Sequence, residues 1–309
     1  MKTMSAAPLV PLSRRSVMLG AGALAACSRK PKAPAPPAPG KPETLAAAVA
    51  GPWRPPADKA RDRWRHPVET LAFWGLKPGA TVVEFWPGAG WYTDIVAPFL
   101  AATGGKLYAA NLETSDPADP AAAEIVAAFR RKLDADPKLY GQVAVTAFGP
   151  TSGPVAPAGS ADLVLFLRNL HNWMAAGIAD KAFHDAFAAL KPGGVLGIEE
   201  HRAPTGDVQD ALAADGYVQQ AYVVKLAQEA GFVLDKTSEI NANPKDDHHH
   251  PFGVWTLPPV RLSAPRGQPA DPAFDHSRYD AIGESDRMTL RFVKPVAPVA
   301  PPPPTPAAS

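Results

Sequence analysis

The sequence predicts an α/β fold: a doubly wound, mostly parallel seven-stranded sheet with a long loop inserted before its last strand. Three observations predict it. From residue 68 to 293, short apolar runs alternate with longer amphipathic ones, and such alternation argues for parallel strands joined by right-handed helical crossovers. The run 161–167 is apolar almost throughout, as a strand covered on both faces should be. At 81–101 a strand, a glycine-bearing turn and a helix follow one another directly.

The chain opens on a targeting segment. Paired Arg14 and Arg15 precede an apolar run at 17–26, which is shorter than the ~20 residues a membrane-spanning helix needs. The run ends in Leu24-Ala25-Ala26-Cys27. This resembles a twin-arginine export signal joined to a lipobox, so residues 1–26 are expected to be removed and Cys27 to carry a lipid. Cys27 is the only cysteine, which leaves no internal disulfide. The expected location is the periplasmic side of the cell envelope. Ser28, standing where an inner-membrane retention signal prefers Asp, leans it toward the outer membrane. Residues 27–46 read as a stiff proline-rich linker, 47–294 as the folded domain and 295–309 as a Pro/Ala tail with nothing to pack.

Composition narrows the partners. Hydrophobic residues make up 46% and charged residues 20%, the balance of a globular chain. The net charge is +1, or −2 once residues 1–26 are gone, and no basic stripe is present. No nucleic-acid partner is expected. The expected partners are a small molecule and, through Cys27, a membrane; the oligomeric state is left open.

Within the domain, 68–74 reads as a helix stopped by Gly75 to Gly79, and 81–86 as the first strand. A helix at 92–101, a strand at 106–110, a helix at 120–133 and a strand at 142–148 follow. After the strand 161–167 come a helix at 179–190, closed by Lys191-Pro192-Gly193-Gly194, and a strand at 195–199. A helix at 218–230 and strands at 232–239 and 288–293 complete the pattern. The last two strands have no helix between them, which suits an antiparallel pair. The stretch 241–286 is too long for a simple turn.

Chemistry-bearing residues gather where strands end. The first cluster is Glu84-Phe85-Trp86-Pro87-Gly88-Ala89-Gly90-Trp91-Tyr92, where glycines let a nucleotide-like ligand approach the backbone at a helix start. The second is Asn111 with Glu113, which can bond hydroxyls. The third is Arg168-Asn169-Leu170-His171-Asn172-Trp173, breaking abruptly from an apolar strand; a histidine there can serve as a general base. The fourth is Glu199-Glu200-His201-Arg202, which falls beside His171 if the two strands are neighbours, able then to take a proton or hold a metal. Asp246-Asp247-His248-His249-His250 invites a metal, but successive residues of an extended chain point to opposite sides, so no dedicated metal site is expected.

These pieces resemble class I S-adenosylmethionine-dependent methyltransferases, and in particular a family of predicted, exported bacterial proteins carrying the Trp-Pro-Gly-x-Gly-Trp-Tyr variant of the glycine motif. Arg61 to Pro67, Gly216-Tyr217-Val218, Asn241 to Asp246 and Gly253 to Pro259 carry the same resemblance. It implies that Glu84, Trp86, Gly88, Gly90, Asn111 and Glu113 bind S-adenosylmethionine. It implies further that Tyr92, Arg168, Asn169 and Trp173 bind the substrate, and that His171, Glu200 and His201 act in catalysis. Trp86 stands where the family of enzymes at large has its first glycine, and Asn111 where an acid binds the ribose. The competing class is an exported ligand-binding protein on the same scaffold, its pocket walled by Trp86, Trp91, Tyr92 and Trp173.

Overall fold

The computed structural model describes residues 41–115 and 120–296. The signal 1–26, Cys27, most of the linker and nearly all of the tail lie outside the described residues. The first helix, α1 (Leu45–Ala50), begins two residues inside the expected linker, because the Thr44 hydroxyl accepts the N–H of Ala47 and caps it. Short helices α2 (Pro56–Lys59) and α3 (Asp62–Arg65) lead into α4 (Pro67–Phe73).

The first half of the sheet is built from β1 (Thr81–Phe85), α5 (Thr93–Thr103), β2 (Lys106–Leu112), α6 (Pro120–Ala135), α7 (Pro137–Tyr140) and β3 (Val143–Phe148). β4 (Ala161–Leu167), α8 (Leu170–Ala175), α9 (Ala179–Ala189), β5 (Leu190–His201), α10 (Gln220–Glu229) and β6 (Val233–Ser238) follow. The expected long loop holds a short strand, β7 (Pro251–Val254), and α11 (Ser277–Ile282) before β8 (Arg287–Val293).

The strand order is β3-β2-β1-β4-β5-β8-β6, seven strands with β7 outside the sheet. All pairs from β3 to β5 are parallel; β8 runs antiparallel between β5 and β6, with Glu199 opposite Thr289. This is the class I methyltransferase layout. Sequence and structure part at β5: Lys191 to Gly194, read as a helix stop, lies within the strand as an irregularity, and the register against β4 shifts between Ala161 and Leu163. Residues 218–219, read as helix, stay extended, and Val218 bridges Arg202 instead.

Each face of the sheet buries its own core. Phe85, Phe148, Phe166, Trp173 and Phe183 pack edge to face beneath α8, α9 and α10. Trp74, Ile95, Phe99, Leu100 and Phe129 fill the other face. There the Trp74 ring lies so close over β5 that a Cβ on Gly197 would fall 2.5 Å from it. Gly197→Ala should therefore cost about 1–3 kcal/mol by overpacking. A urea-unfolding midpoint equal to wild type would count against this packing. No helix among the described residues is long and apolar enough to cross a membrane.

Candidate functional site

β1 continues to β2 on one side and lies against β4 on the other, so the chain switches direction between β1 and β4. Open α/β sheets bind ligands at the carboxyl ends of the strands flanking such a switch. A pocket of about 350 Å³ opens there, at the low end for small-molecule sites. Its floor is the β1–α5 turn from Trp86 to Ala89, the β4 exit from Leu167 to Asn172, and His201 at the end of β5. Arg61 and Arg65 of the α3 segment line it together with Glu284 and Ser285, and Trp255 to Val260, after β7, complete the lining. A larger, open groove of about 890 Å³ lies along α10 and residues 202–209, away from the strand-end chemistry.

The turn keeps the shape its glycines predict. Gly88 and Gly90 sit at φ 58 and 86, and a Cβ on Gly88 would meet nothing within 4 Å, so the space before the turn is open. Trp86 holds the same left-handed region, at φ 44. The side chain is not the glycine of the usual motif, but the backbone takes a conformation that glycine adopts freely. Two things offset its strain. The indole N–H donates to the Phe148 carbonyl at 2.9 Å, and the ring packs on Phe148 and Trp173. Because β2 lies between β1 and β3, an indole rooted at the end of β1 and bonded at the end of β3 crosses the end of β2.

The β4 exit is held as tightly. Asn169 donates to the Trp86 carbonyl at 3.0 Å, tying the two strand exits together. His171 is 4% exposed, and its Nδ1 lies 2.9 Å from Glu200 Oε1. Glu200, fully buried, also accepts the backbone N–H groups of Leu170 and His201. His201 Nδ1 lies 2.5 Å from the Ser285 hydroxyl, and the two imidazoles are 5.3 Å apart. Neither Nε2 has a protein partner among the described residues. Burial, then the neighbouring His171 and Arg168, push His201 well below its usual value and keep it neutral. His171, Glu200 and His201 have atoms within 4.8 Å of one another, close enough for a metal. The Glu200 oxygens are already taken by three donors, however, and the arginines around the pocket repel a cation.

Beneath the floor lies a buried ionic network. Glu284 accepts from Arg61 at 2.7 Å, Arg65 at 2.8 Å and Arg287 at 2.7 Å. Glu199 pairs with Arg287 at 3.0 Å and accepts from the Tyr92 hydroxyl at 2.9 Å. Burial and Glu199 push the Tyr92 phenol well above its usual value, so it stays a donor. For Arg287, burial favours loss of the charge, but Glu199 and Glu284 outweigh it and hold the guanidinium charged. Arg65 also lies 4.7 Å over the Trp91 ring.

Of the residues expected from sequence, Trp86, Gly88, Arg168, Asn169, His171 and His201 meet at the pocket. The others stand elsewhere. Tyr92 and Trp173, expected to touch substrate, are 2% and 0% exposed: Tyr92 joins the network, and Trp173 is core. Glu84 faces the opposite layer and accepts from the Thr93 hydroxyl at 2.7 Å. Glu200 stands behind His171 rather than in the pocket. Gly90 is buried under Lys132 and Phe129. Glu113 is drawn away to the backbone and hydroxyl of Thr151, whose bonds lower its carboxyl. Asn111 is buried at the end of β2, its Nδ2 without a partner. Arg61, Arg65, Trp255 and Glu284 were missed as site residues, although Arg61, Arg65 and Trp255 lie in the segments that carry the family resemblance.

No family model matches the chain, and no curated protein matches it significantly. It is similar in structure to a SAM dependent methyltransferase from Aquifex aeolicus, at 20% identity over 59% of this chain and 87% of that one, TM-score 0.46. It is similar also to the [4+2]-cyclase SpnF, at 16% identity over 80% and 83%, TM-score 0.49. A third likeness is to phosphoethanolamine N-methyltransferase 2 of Haemonchus contortus, at 15% identity over 75% and 53%, TM-score 0.47. At such identities these likenesses speak only to the fold, which the strand order states independently.

Proposed function

We propose that this protein transfers a methyl group from S-adenosylmethionine to a small-molecule acceptor, and that it works on the periplasmic side of the envelope, anchored through a lipid on Cys27. One observation carries the cofactor reading. The turn at Gly88 is open to a ligand at the start of α5, and on the neighbouring strand the buried Asn111 Nδ2 has no partner. Gly88 would let the cofactor lie against the backbone, and Asn111 would bond its ribose. The cofactor, when bound, supplies a methyl group on a positively charged sulfur. The chain's own part is alignment and proton removal. His171, fixed through Nδ1 by Glu200, presents Nε2 to the pocket and takes the proton of an acceptor hydroxyl or amine.

The path of Trp86 favours a second reading. Its indole crosses the end of β2, where a ribose would lie, so the pocket can equally hold a ligand without any nucleoside beside it. Calorimetric titration of the full-length protein with S-adenosylmethionine and S-adenosylhomocysteine separates the two. Micromolar binding, weakened at least about tenfold in Gly88→Val, is expected for the methyltransferase. A folded sample that binds neither compound at millimolar concentration would end that reading and leave the second.

A further inference from the structure

One guanidinium in the site is mostly covered and yet makes no hydrogen bond among the described residues. Arg168 sits at φ 56, a left-handed conformation that costs a non-glycine residue energy, directly at the end of β4. Its side chain is only 17% exposed. The nearest carboxylate oxygens lie 3.7 Å away on Glu284 and 4.0 Å away on Glu199. None of its side-chain nitrogens makes a hydrogen bond among the described residues, and Nε is buried with no partner. The reason is competition: Arg61, Arg65 and Arg287 already donate to the Glu284 oxygens at 2.7–2.8 Å, and Arg287 lies closer to Glu199 Oε1, at 3.0 Å, than Arg168 does. Four guanidiniums thus share two carboxylates, and even with Glu200 behind His171 counted, guanidiniums outnumber carboxylates beside the pocket by four to three. His201 and Tyr92 add no charge to the balance.

A strained backbone and an unsatisfied fork of donors at one residue both need an explanation, and an oxyanion with two acceptor oxygens side by side supplies it. We infer that the pocket takes a small organic anion, its carboxylate or phosphate held by Arg168 with Arg61 and Arg65 beside it, and its apolar body against Trp255, Leu257 and Pro258. The inference goes beyond the proposed function, since it holds whether or not a methyl group is moved. The pocket faces β4 and β5 and has no lining residue from β2 or β3, so the anion belongs to the acceptor side rather than to the nucleoside side. His171 lines the same pocket.

The test is titration of the full-length protein, followed by calorimetry or NMR, with inorganic phosphate, benzoate and the neutral benzamide. Saturable binding of phosphate or benzoate is expected, with benzamide at least about tenfold weaker. Tighter phosphate points to a phosphate ester and tighter benzoate to a carboxylic acid; either supports the inference. Arg168→Gln should weaken the anion at least about tenfold, with Arg168→Lys in between because it keeps charge but loses the fork. Benzamide binding as well as benzoate, or the absence of saturation at tens of millimolar, would overturn it. Those arms need no variant and stand even if the substitutions unfold the protein. S-adenosylhomocysteine is titrated in parallel. Failure of that compound alone ends the methyltransferase reading and leaves the anion, whereas its displacement by benzoate would assign the arginines to the cofactor and overturn the inference.

Discussion

Glu284→Ala should destabilise the protein by about 3–5 kcal/mol, because it strips the shared acceptor from three arginines at once. Arg65 and Arg287 are 3% and 1% exposed, and each has a hydrogen bond to Glu284 at 2.7–2.8 Å. Without the carboxylate, Glu199 alone would face Arg287 and Arg168, and Arg65 would keep only the Trp91 face. Losing one partner of a buried pair costs far more than the pair contributes net, since the charge left behind stays out of water. The predicted loss corresponds to a melting temperature lower by roughly 10 °C for a domain of this size. Glu284→Gln should fall between, keeping an acceptor oxygen but no charge. Urea unfolding at pH 7 measures the difference, and a loss below about 1 kcal/mol would mean that the arginines find water or one another in the variant.

Glu84→Gln should stabilise the protein at pH 8, against the usual expectation for a residue of the glycine motif. Burial, opposed by the Thr93 hydrogen bond, pushes the Glu84 carboxyl up from 4.5 to about 7. Below pH 4.5 it is protonated in both folded and unfolded chains, and folding carries no penalty from it. Between about 4.5 and 7 the unfolded chain ionises first, so stability falls as pH rises. Above 7 both states are ionised and the penalty is constant, about 3 kcal/mol at most. Glutamine keeps an oxygen for Thr93 and removes the titration. The difference in stability between variant and wild type should therefore grow from pH 4.5 to 7 and then level. A difference independent of pH from 4.5 to 8 would show that folding does not raise the Glu84 carboxyl, whereas one still growing at pH 8 would show that it stays neutral across the whole range.

Much of the fold was legible because it follows from period and punctuation. The apolar run 161–167 became β4 with unchanged bounds, and the last two expected strands did pair antiparallel, although the short α11 lies between them. The strand-end clusters were legible too, since a polar break after a buried strand has few other causes: Arg168, His171 and His201 meet as expected. What could not be read were meetings across the chain. Arg61 and Arg65 reach Glu284 over separations of 223 and 219 residues, and no local pattern announces that. Aromatic residues at a turn were ambiguous for another reason. Trp173 and Trp86 look alike in sequence, yet the first turn of α8 puts Trp173 in the core, while Trp86 is half-buried at the pocket. The region 241–286 was read as a loop because its short elements lack periodicity. Asn241, Asn243 and Asp246 nonetheless are buried there and bond to Thr289, the Glu284 carbonyl and the backbone of Asp286.

The place of β8 has a consequence for how the molecule is made. It pairs with β5 and β6, both of which precede it, so during synthesis those two strands wait with open edges until residues 287–293 emerge. Arg287 and Glu284 arrive with the same segment, and only then do Arg61 and Arg65 lose their unpaired charge. Closing the sheet and setting the charge of the pocket are therefore one event, and it comes late. A ribosome-bound chain short of β8 has neither, and its exposed strand edges are what a chaperone would hold.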